Sequence, residues 1–399
     1  MTMTTQNAPA GFNLALLWRR KESRAIIMQI LVISLVFAGI GYLAYNAKVN
    51  LAEIDQDIDY SFLSNAAGYD IPSDQQMIPY DSTMSHGRAA LVGLLNTLKV
   101  AVLGIIAATI IGFIFGVLRL SNNYLVAGLA KIWVEGFRNV PILLWILLVH
   151  GVIITGLPVP KAAISIQDSI FLTNRGFYMP SPVFLENAVW IAAAFIIGVI
   201  FSIFYYRRAK ALQIATGKIS PVLWVSLAAI VGFPLIVYFL SGMPIALDIP
   251  EKKGFNFAGG MVIKPEFIAL WGALSLYTSA FVAENVRSGI LAISHGQSEA
   301  AFALGLKKNR TMQQIVIPQA LRVIVPPLTS QYLNLTKNSS LAIAVGYMDL
   351  VGTLGGISLN QTGRSMEAMS MVMVIYLSIS LLISSFMNWY NKRIKLVER

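Results

Sequence analysis

The stretch Ser294–Arg322, SHGQSEAAFALGLKKNRTMQQIVIPQALR, lies between two long apolar runs and has the character of neither. It is polar enough to face water, yet it carries apolar residues of its own and a glycine break. Ser298, Glu299, Ala300 and Ala301 favour helix, and Gly305 is a natural terminator, with Phe302, Leu304 and Leu306 gathered beside it. After the basic KKNR, TMQQIVI predicts a second short helix that stops at Pro318, because proline disfavours helix in the residue before it. Two short helices bent about a glycine form a plug shaped for a groove in another protein. The same spacing also suits a helix lying on lipid.

What surrounds this stretch settles the class. The chain has 399 residues, of which 56% are hydrophobic and only 12% charged. A soluble domain carries about 25% charged residues. Several apolar runs exceed the roughly 20 residues that cross a hydrocarbon core, so the chain reads as a helical protein that spans a membrane many times. Eight spans are predicted: Ala25–Tyr45, Val100–Leu118, Pro141–Leu157, Ala188–Tyr206, Pro221–Leu240, Phe267–Val286, Val323–Val345 and Met369–Trp389. The basic WRRKESR before the first run, with no small-residue cleavage site, makes that run a transmembrane helix rather than a signal peptide.

Charge fixes the expected orientation. With the N-terminus in the cytoplasm, the inside segments hold 19 Lys/Arg and the outside loops 8, as the positive-inside bias requires. Both ends and the Ser294–Arg322 stretch are then cytoplasmic. The net charge of +11 is accounted for by these loops and gives no reason to invoke nucleic acid. Cysteine is absent, and His86, His150 and His295 are scattered, which removes thiolate chemistry and any histidine pair at ligand spacing. Gly217-Lys218 has no glycine five positions earlier and no Ser or Thr after it, so it is no phosphate loop. The acids Glu53, Asp55, Asp57 and Asp59 of EIDQDIDY lack the glycine and distal glutamate of a calcium loop and read as solvated. The outer loops PVPKAAISIQDSIFLTNRGFYMPSP and SGMPIALDIPEKKGFNFAGGMVIKP read as ordered surface loops.

Three further features bear on function. Glu135 and Arg138, and likewise Glu284 and Arg287, stand three apart, so each carboxylate can pair with its own guanidinium on one helix face. Such pairs near the cytoplasmic end serve either as a gate or as a brace. The run Asn334, Thr336, Lys337, Asn338, Ser339 and Ser340 is the most polar one inside a predicted span, and polar groups in hydrocarbon must face a partner or water. It is the candidate translocation route. Lys337 is placed to attract a carboxylate, to snorkel, or to pair with a neighbouring subunit. Lys99, near the outer end of its span, reads as an interfacial anchor.

The opening stretch also closely resembles the EAA loop of ATP-binding-cassette (ABC) importer permeases. Glu299-Ala300-Ala301, Gly305 and Ile315–Pro318 all fall in register with that pattern. ALSLYTSAFVAENVRSGI, PPLTSQYLNLTKNSSLAIAVGYMDL and GLLNTLKVAVLGIIAATIIGFIFGVLRLS with VEGFRNVPILLW are similar to the polar amino-acid branch of the family. The long form containing PYD and GRAALVGLLNTL resembles the Q-type subunits of general L-amino-acid permeases and their glutamate/glutamine/aspartate/asparagine relatives. Two variants depart from the family's frequent motifs: Phe137-Arg138-Asn139-Val140-Pro141 and Lys337-Asn338-Ser339-Ser340-Leu341.

The resemblance implies an all-α integral membrane fold, a type I importer core of five spans with one N-terminal and two inserted helices added. It divides the chain into a cytoplasmic segment 1–24, a first helix 25–45, an external loop 46–88, a core 89–390 and a cytoplasmic tail 391–399. Within the core lie the insert at about 187–240 and the coupling loop 291–318. It further implies that Glu299, Ala300, Ala301, Phe302, Leu304, Gly305 and Pro318 form a helix that docks on an ATPase. The implied partners are a second permease subunit, two ATPase subunits and a periplasmic amino-acid-binding protein. ATP and Mg2+ would be bound by the ATPase, with no cofactor on this chain, in a bacterial inner membrane. An ion-driven carrier would call for inverted repeats or broken spans with intramembrane acids, and an intramembrane enzyme for clustered His or acids. The sequence has neither.

Overall fold

A computed structural model of the chain describes residues 21–53 and 58–394. Twelve helices follow in order among them: α1 (Lys21–Glu53), α2 (His86–Leu118), α3 (Tyr124–Arg138), α4 (Ile142–Gly156), α5 (Val189–Thr216), α6 (Val222–Leu240), α7 (Pro265–Leu291), α8 (His295–Ala303), α9 (Lys308–Thr311), α10 (Ile317–Asn338), α11 (Leu359–Thr362) and α12 (Ser365–Ile394). Six of them, α1, α2, α5, α6, α7 and α12, are long and apolar enough to cross a membrane. Helices α3 and α4 meet at 103° and together make a seventh candidate, as a broken span or a re-entrant loop. Helix α10 covers Val323–Asn338 of the seventh predicted span, Val323–Val345, whose remainder is a 3-10 turn, and it is not among the helices apolar enough to cross. The bend between α3 and α4 falls at Val140-Pro141, where proline lacks an N–H and drives the preceding residue out of helical geometry.

The core is built around α7, which packs against α2, α3, α4 and α10, while α12 packs against α10. Small residues make the closest approach possible. Gly104, Ala108, Gly112 and Gly116 form a buried stripe along α2. A Cβ at Gly112 would lie 2.5 Å from Val282 Cβ, and one at Gly116 2.7 Å from Val286 Cβ. Without a hydrophobic driving force between spans, this backbone proximity supplies the attraction. Three helices stand outside the core: no residue of the apolar stretch of α1 is buried, and α5 and α6 pack chiefly on each other.

The two ends of α7 define two ends of the molecule, one carrying α8 and the other a set of short strands. The sequence predicts surface loops over the latter residues; the structure folds them into eight strands. β1 (Ile164–Ile166), β2 (Ile170–Thr173), β3 (Gly176–Met179) and β8 (Met261–Ile263) form one antiparallel sheet. β4 (Ser181–Phe184) pairs with β5 (Ile245–Asp248), and β6 (Glu251–Lys253) with β7 (Asn256–Ala258). The β4–β5 pair ties the start of the α5–α6 hairpin to its end.

Helix α2 begins 14 residues before the predicted span. Its 33 residues extend about 50 Å at 1.5 Å per residue, more than a hydrocarbon core needs. The extra turns are wrapped by residues 58–85, where Phe62 packs on Ala90 and Ala67, Ile71 and Tyr80 pack on Ala89 and Val92. Tyr80 donates to Tyr69 O at 2.9 Å; burial, with Tyr69, Asp70 and Asp81 near, pushes its hydroxyl up to about 12 and keeps it a neutral donor. Of the acidic run, Asp59 caps the turn at Ser61, accepting from its backbone N–H at 2.8 Å. Asp55 and Asp57 lie outside the described residues.

Candidate functional site

Helix α8 starts after Ser294 and ends in a left-handed glycine. Gly305 has φ +78°; its N–H donates to Phe302 O at 2.9 Å, and Leu306 N–H donates to Ala301 O at 3.1 Å. This bond pair is a Schellman cap, which reverses the chain while satisfying the last carbonyls. A Cβ on Gly305 would meet nothing within 4 Å, so the requirement there is conformational rather than steric.

The reversal sets which residues face out. Glu299 and Ala300 are exposed, Phe302 is 48% and Leu304 83% exposed, and Pro318 is exposed as well. Ala301 is buried where α8 packs on the wide π turn Met312–Val316, so its side chain does not face out with the other predicted docking residues. Pro318 also behaves differently from the expectation. TMQQIVI does not stop there; it runs through the π turn into α10, with Pro318 in the first turn of that helix. The wider spacing of the π turn accommodates a proline that lacks an N–H within the continuing helix. The second half of the plug is therefore continuous with α10, while α8 is held to it by packing and by Gln319 Nε2, which donates to Gln297 Oε1 at 3.2 Å across the angle.

A charge network stands at the same end of the bundle. Arg287 donates to Glu284 twice, Nη2 to Oε1 at 2.6 Å and Nε to Oε2 at 3.2 Å, as the spacing predicts. Glu135 and Arg138 do not pair in this way. Glu135 lies 4.0 Å from Arg119, and the Arg138 guanidinium sits 5.2 Å from the centre of the Phe281 ring, a cation–π contact. Arg119, for which no partner is evident from sequence spacing, is the centre of the arrangement: it caps α2, also contacts Glu284, and joins α2, α3 and α7. The two carboxylates and two guanidinium groups of Glu135, Glu284, Arg119 and Arg287 balance. Beside them Phe115, Trp133, Phe137 and Trp145 form a chain of rings 4.5–4.7 Å apart that crosses the α3–α4 bend.

The polar run on α10 divides into two faces. Thr336 and Ser339 are buried and satisfied within their own helix, Thr336 to Tyr332 O at 2.8 Å and Ser339 to Thr336 O at 2.7 Å. Asn334 and Lys337 are exposed and Asn338 half-buried, in line with exposed Ser330, Pro326 and Pro327 along one face. Ser340 is half-buried and donates to Lys337 O at 2.7 Å. Among the described residues no group of three His, Cys, Asp or Glu stands close enough to hold a metal ion.

Comparison with known proteins agrees with this arrangement. Residues 214–396 match the family described as "Binding-protein-dependent transport system inner membrane component". The chain is 46% identical to the General L-amino acid transport system permease protein AapQ of Rhizobium johnstonii, over 94% of this chain and 93% of that one. It is 49% identical to the Glutamate/glutamine/aspartate/asparagine transport system permease protein BztB of Rhodobacter capsulatus, over 100% of both. It is 45% identical to the Putative amino-acid ABC transporter permease protein YhdX of Escherichia coli, over 94% of this chain and 95% of that one. With a helical core packed around α7, an outward-facing helix that ends at a capping glycine and near-full-length relatives of this identity, the chain belongs to the polar amino-acid branch of the ABC transporter permeases.

Proposed function

We propose that this chain is the transmembrane subunit through which polar L-amino acids, delivered by a periplasmic binding protein, enter a bacterial cell, with the α8 end in the cytoplasm. A second permease subunit completes the pathway, and two ATPase subunits that bind ATP and Mg2+ supply the energy. One observation carries the reading: α8 offers an acid and two large apolar side chains, Glu299, Phe302 and Leu304, on a capped helix that packs against the π turn leading into α10. A load applied to α8 is transmitted along a helix whose exposed polar face bears Asn334, Lys337 and Asn338. That face suits a route shared with the second subunit, since polar groups at membrane depth need water or protein beside them. Helix α10, polar as it is, then crosses the membrane as a further span, protected by its neighbours from lipid.

Glu284, Arg287, Arg119 and Glu135 act in this scheme as a brace. They join three helices and neutralise one another, which favours a fixed corner over a gate that must open each cycle. Helices α1, α5 and α6 contact lipid.

The test is uptake of radiolabelled L-glutamine and L-glutamate by vesicles containing the assembled complex. Uptake that requires ATP inside and the binding protein outside, and that persists when ion gradients are dissipated, is the expected result. Uptake that follows an ion gradient without ATP would replace this reading with a secondary carrier.

A further inference from the structure

At the strand end, a cavity of about 510 Å³ opens between the Ser73–Gln75 turn, strand β8, the start of α7 and Lys99 of α2. Its size falls within the roughly 300–1,000 Å³ of small-molecule sites. Its polar lining is unevenly satisfied. Asp74 and Lys264 pair at 3.0 Å, and Gln75 accepts from Met348 N–H at 2.8 Å, so the turn is fastened to α7 and to the segment after α10. Lys99 has no acidic partner among the described residues; its ammonium lies 4.9 Å from the centre of the Phe267 ring. Tyr347 lines the same cavity, with its ring centre 5.8 Å from that of Phe267. Tyr347 is 1% exposed, and its hydroxyl has no hydrogen-bond partner.

A buried phenol that lacks a partner and an ammonium that lacks a counter-charge, on the same cavity wall, call for one shared acceptor. Because Asp74 and Lys264 cancel, Lys99 leaves the cavity with one net positive charge. An anionic group fits it, and a zwitterion fits it better, since its own ammonium is attracted to Asp74. We propose that this cavity is a receiving subsite on the external side, in which Lys99 and the Tyr347 hydroxyl hold the α-carboxylate of an incoming amino acid. The inference deepens the transport reading and rests on it. Lys99 is then a binding residue rather than the interfacial anchor that its place in the sequence suggests.

The test uses the purified complex in nanodiscs and measures equilibrium binding of tritiated L-glutamine, with uptake by the parent complex measured in parallel. Lys99→Gln and Tyr347→Phe are expected to weaken binding, by about ten- to a hundred-fold and about three- to ten-fold respectively, and Lys99→Arg to restore most of it. L-glutamine α-amide, which lacks the carboxylate, is expected to compete poorly. Neither inorganic phosphate nor a change from zwitterionic to anionic lipid is expected to displace the label. Parent-like binding by both Lys99→Gln and Tyr347→Phe, full competition by the amide, or displacement by phosphate or anionic lipid would overturn the subsite, while parent uptake kept the transport reading intact. A parent complex that takes up no amino acid would overturn both.

Discussion

Stimulated ATP hydrolysis is expected to fall about a hundred-fold, to the unstimulated rate, when Glu299 is replaced by arginine. Glu299 is exposed on α8, and no ion pair within the described chain engages it. Lys307, Lys308 and Arg310 follow on the next turns, so the carboxylate is the one acidic point in a basic neighbourhood. A docked ATPase that meets it with a cation would meet a like charge in the variant. Close charge pairs at interfaces couple by about 1.5–7 kcal/mol, and about 2.7 kcal/mol already gives a hundred-fold change. Glu299→Gln, which removes the attraction without adding repulsion, is expected to lose about ten-fold. Phosphate release from vesicles supplied with loaded binding protein measures both. Parent-like stimulation in Glu299→Arg would show that the acid faces water only.

The second large effect concerns stability. Removing Glu284 with Glu284→Ala leaves Arg119 and Arg287 without their shared carboxylate, and the Arg119 side chain is only 11% exposed. Breaking a buried pair from one side costs about 3–5 kcal/mol. Glu284 itself is a quarter exposed, so a loss of about 2–3 kcal/mol is expected here, with α2, α3 and α7 all loosened. The measurement is thermal unfolding of the purified complex, in which Glu284→Ala should melt several degrees lower than the parent. A double variant, Glu284→Ala with Arg119→Met, should recover part of the loss, because the stranded cation is gone. A gate that spends part of its cycle open would show little change in melting and a large change in transport.

The parts of this molecule that were legible in the sequence are those set by local chemistry. The apolar runs of α2, α7 and α12 announced themselves by length, and Gly305 by its place after a helical turn. The Glu284–Arg287 pair followed from spacing along one helix. The misread parts depend on what lies across from a residue. Pro318 stops a helix by its own geometry, yet the π turn before it lets the chain continue into α10. Glu135 had Arg138 three residues away, but Arg119 at the end of α2 and the Phe281 ring on α7 were the closer partners in space. A charge immediately after an apolar span, as Arg119 is, was the available hint. The strands at the far end were hidden because each is only three or four residues long, too short for alternation to register. Lys99 and Tyr347 come to one cavity because each packs against Phe267 at the start of α7, a convergence that no spacing encodes.

The central claim is that α8 seats on a separate ATPase. Because the chain has no cysteine, Leu304→Cys can carry a benzophenone maleimide at a single site, with nothing else on this subunit labelled. After illumination of the assembled complex in its membrane, the crosslinked product should be this chain joined to a subunit that contains a phosphate loop, and ATP should change its yield. Crosslinks to lipid alone, at a yield indifferent to ATP, would contradict the account.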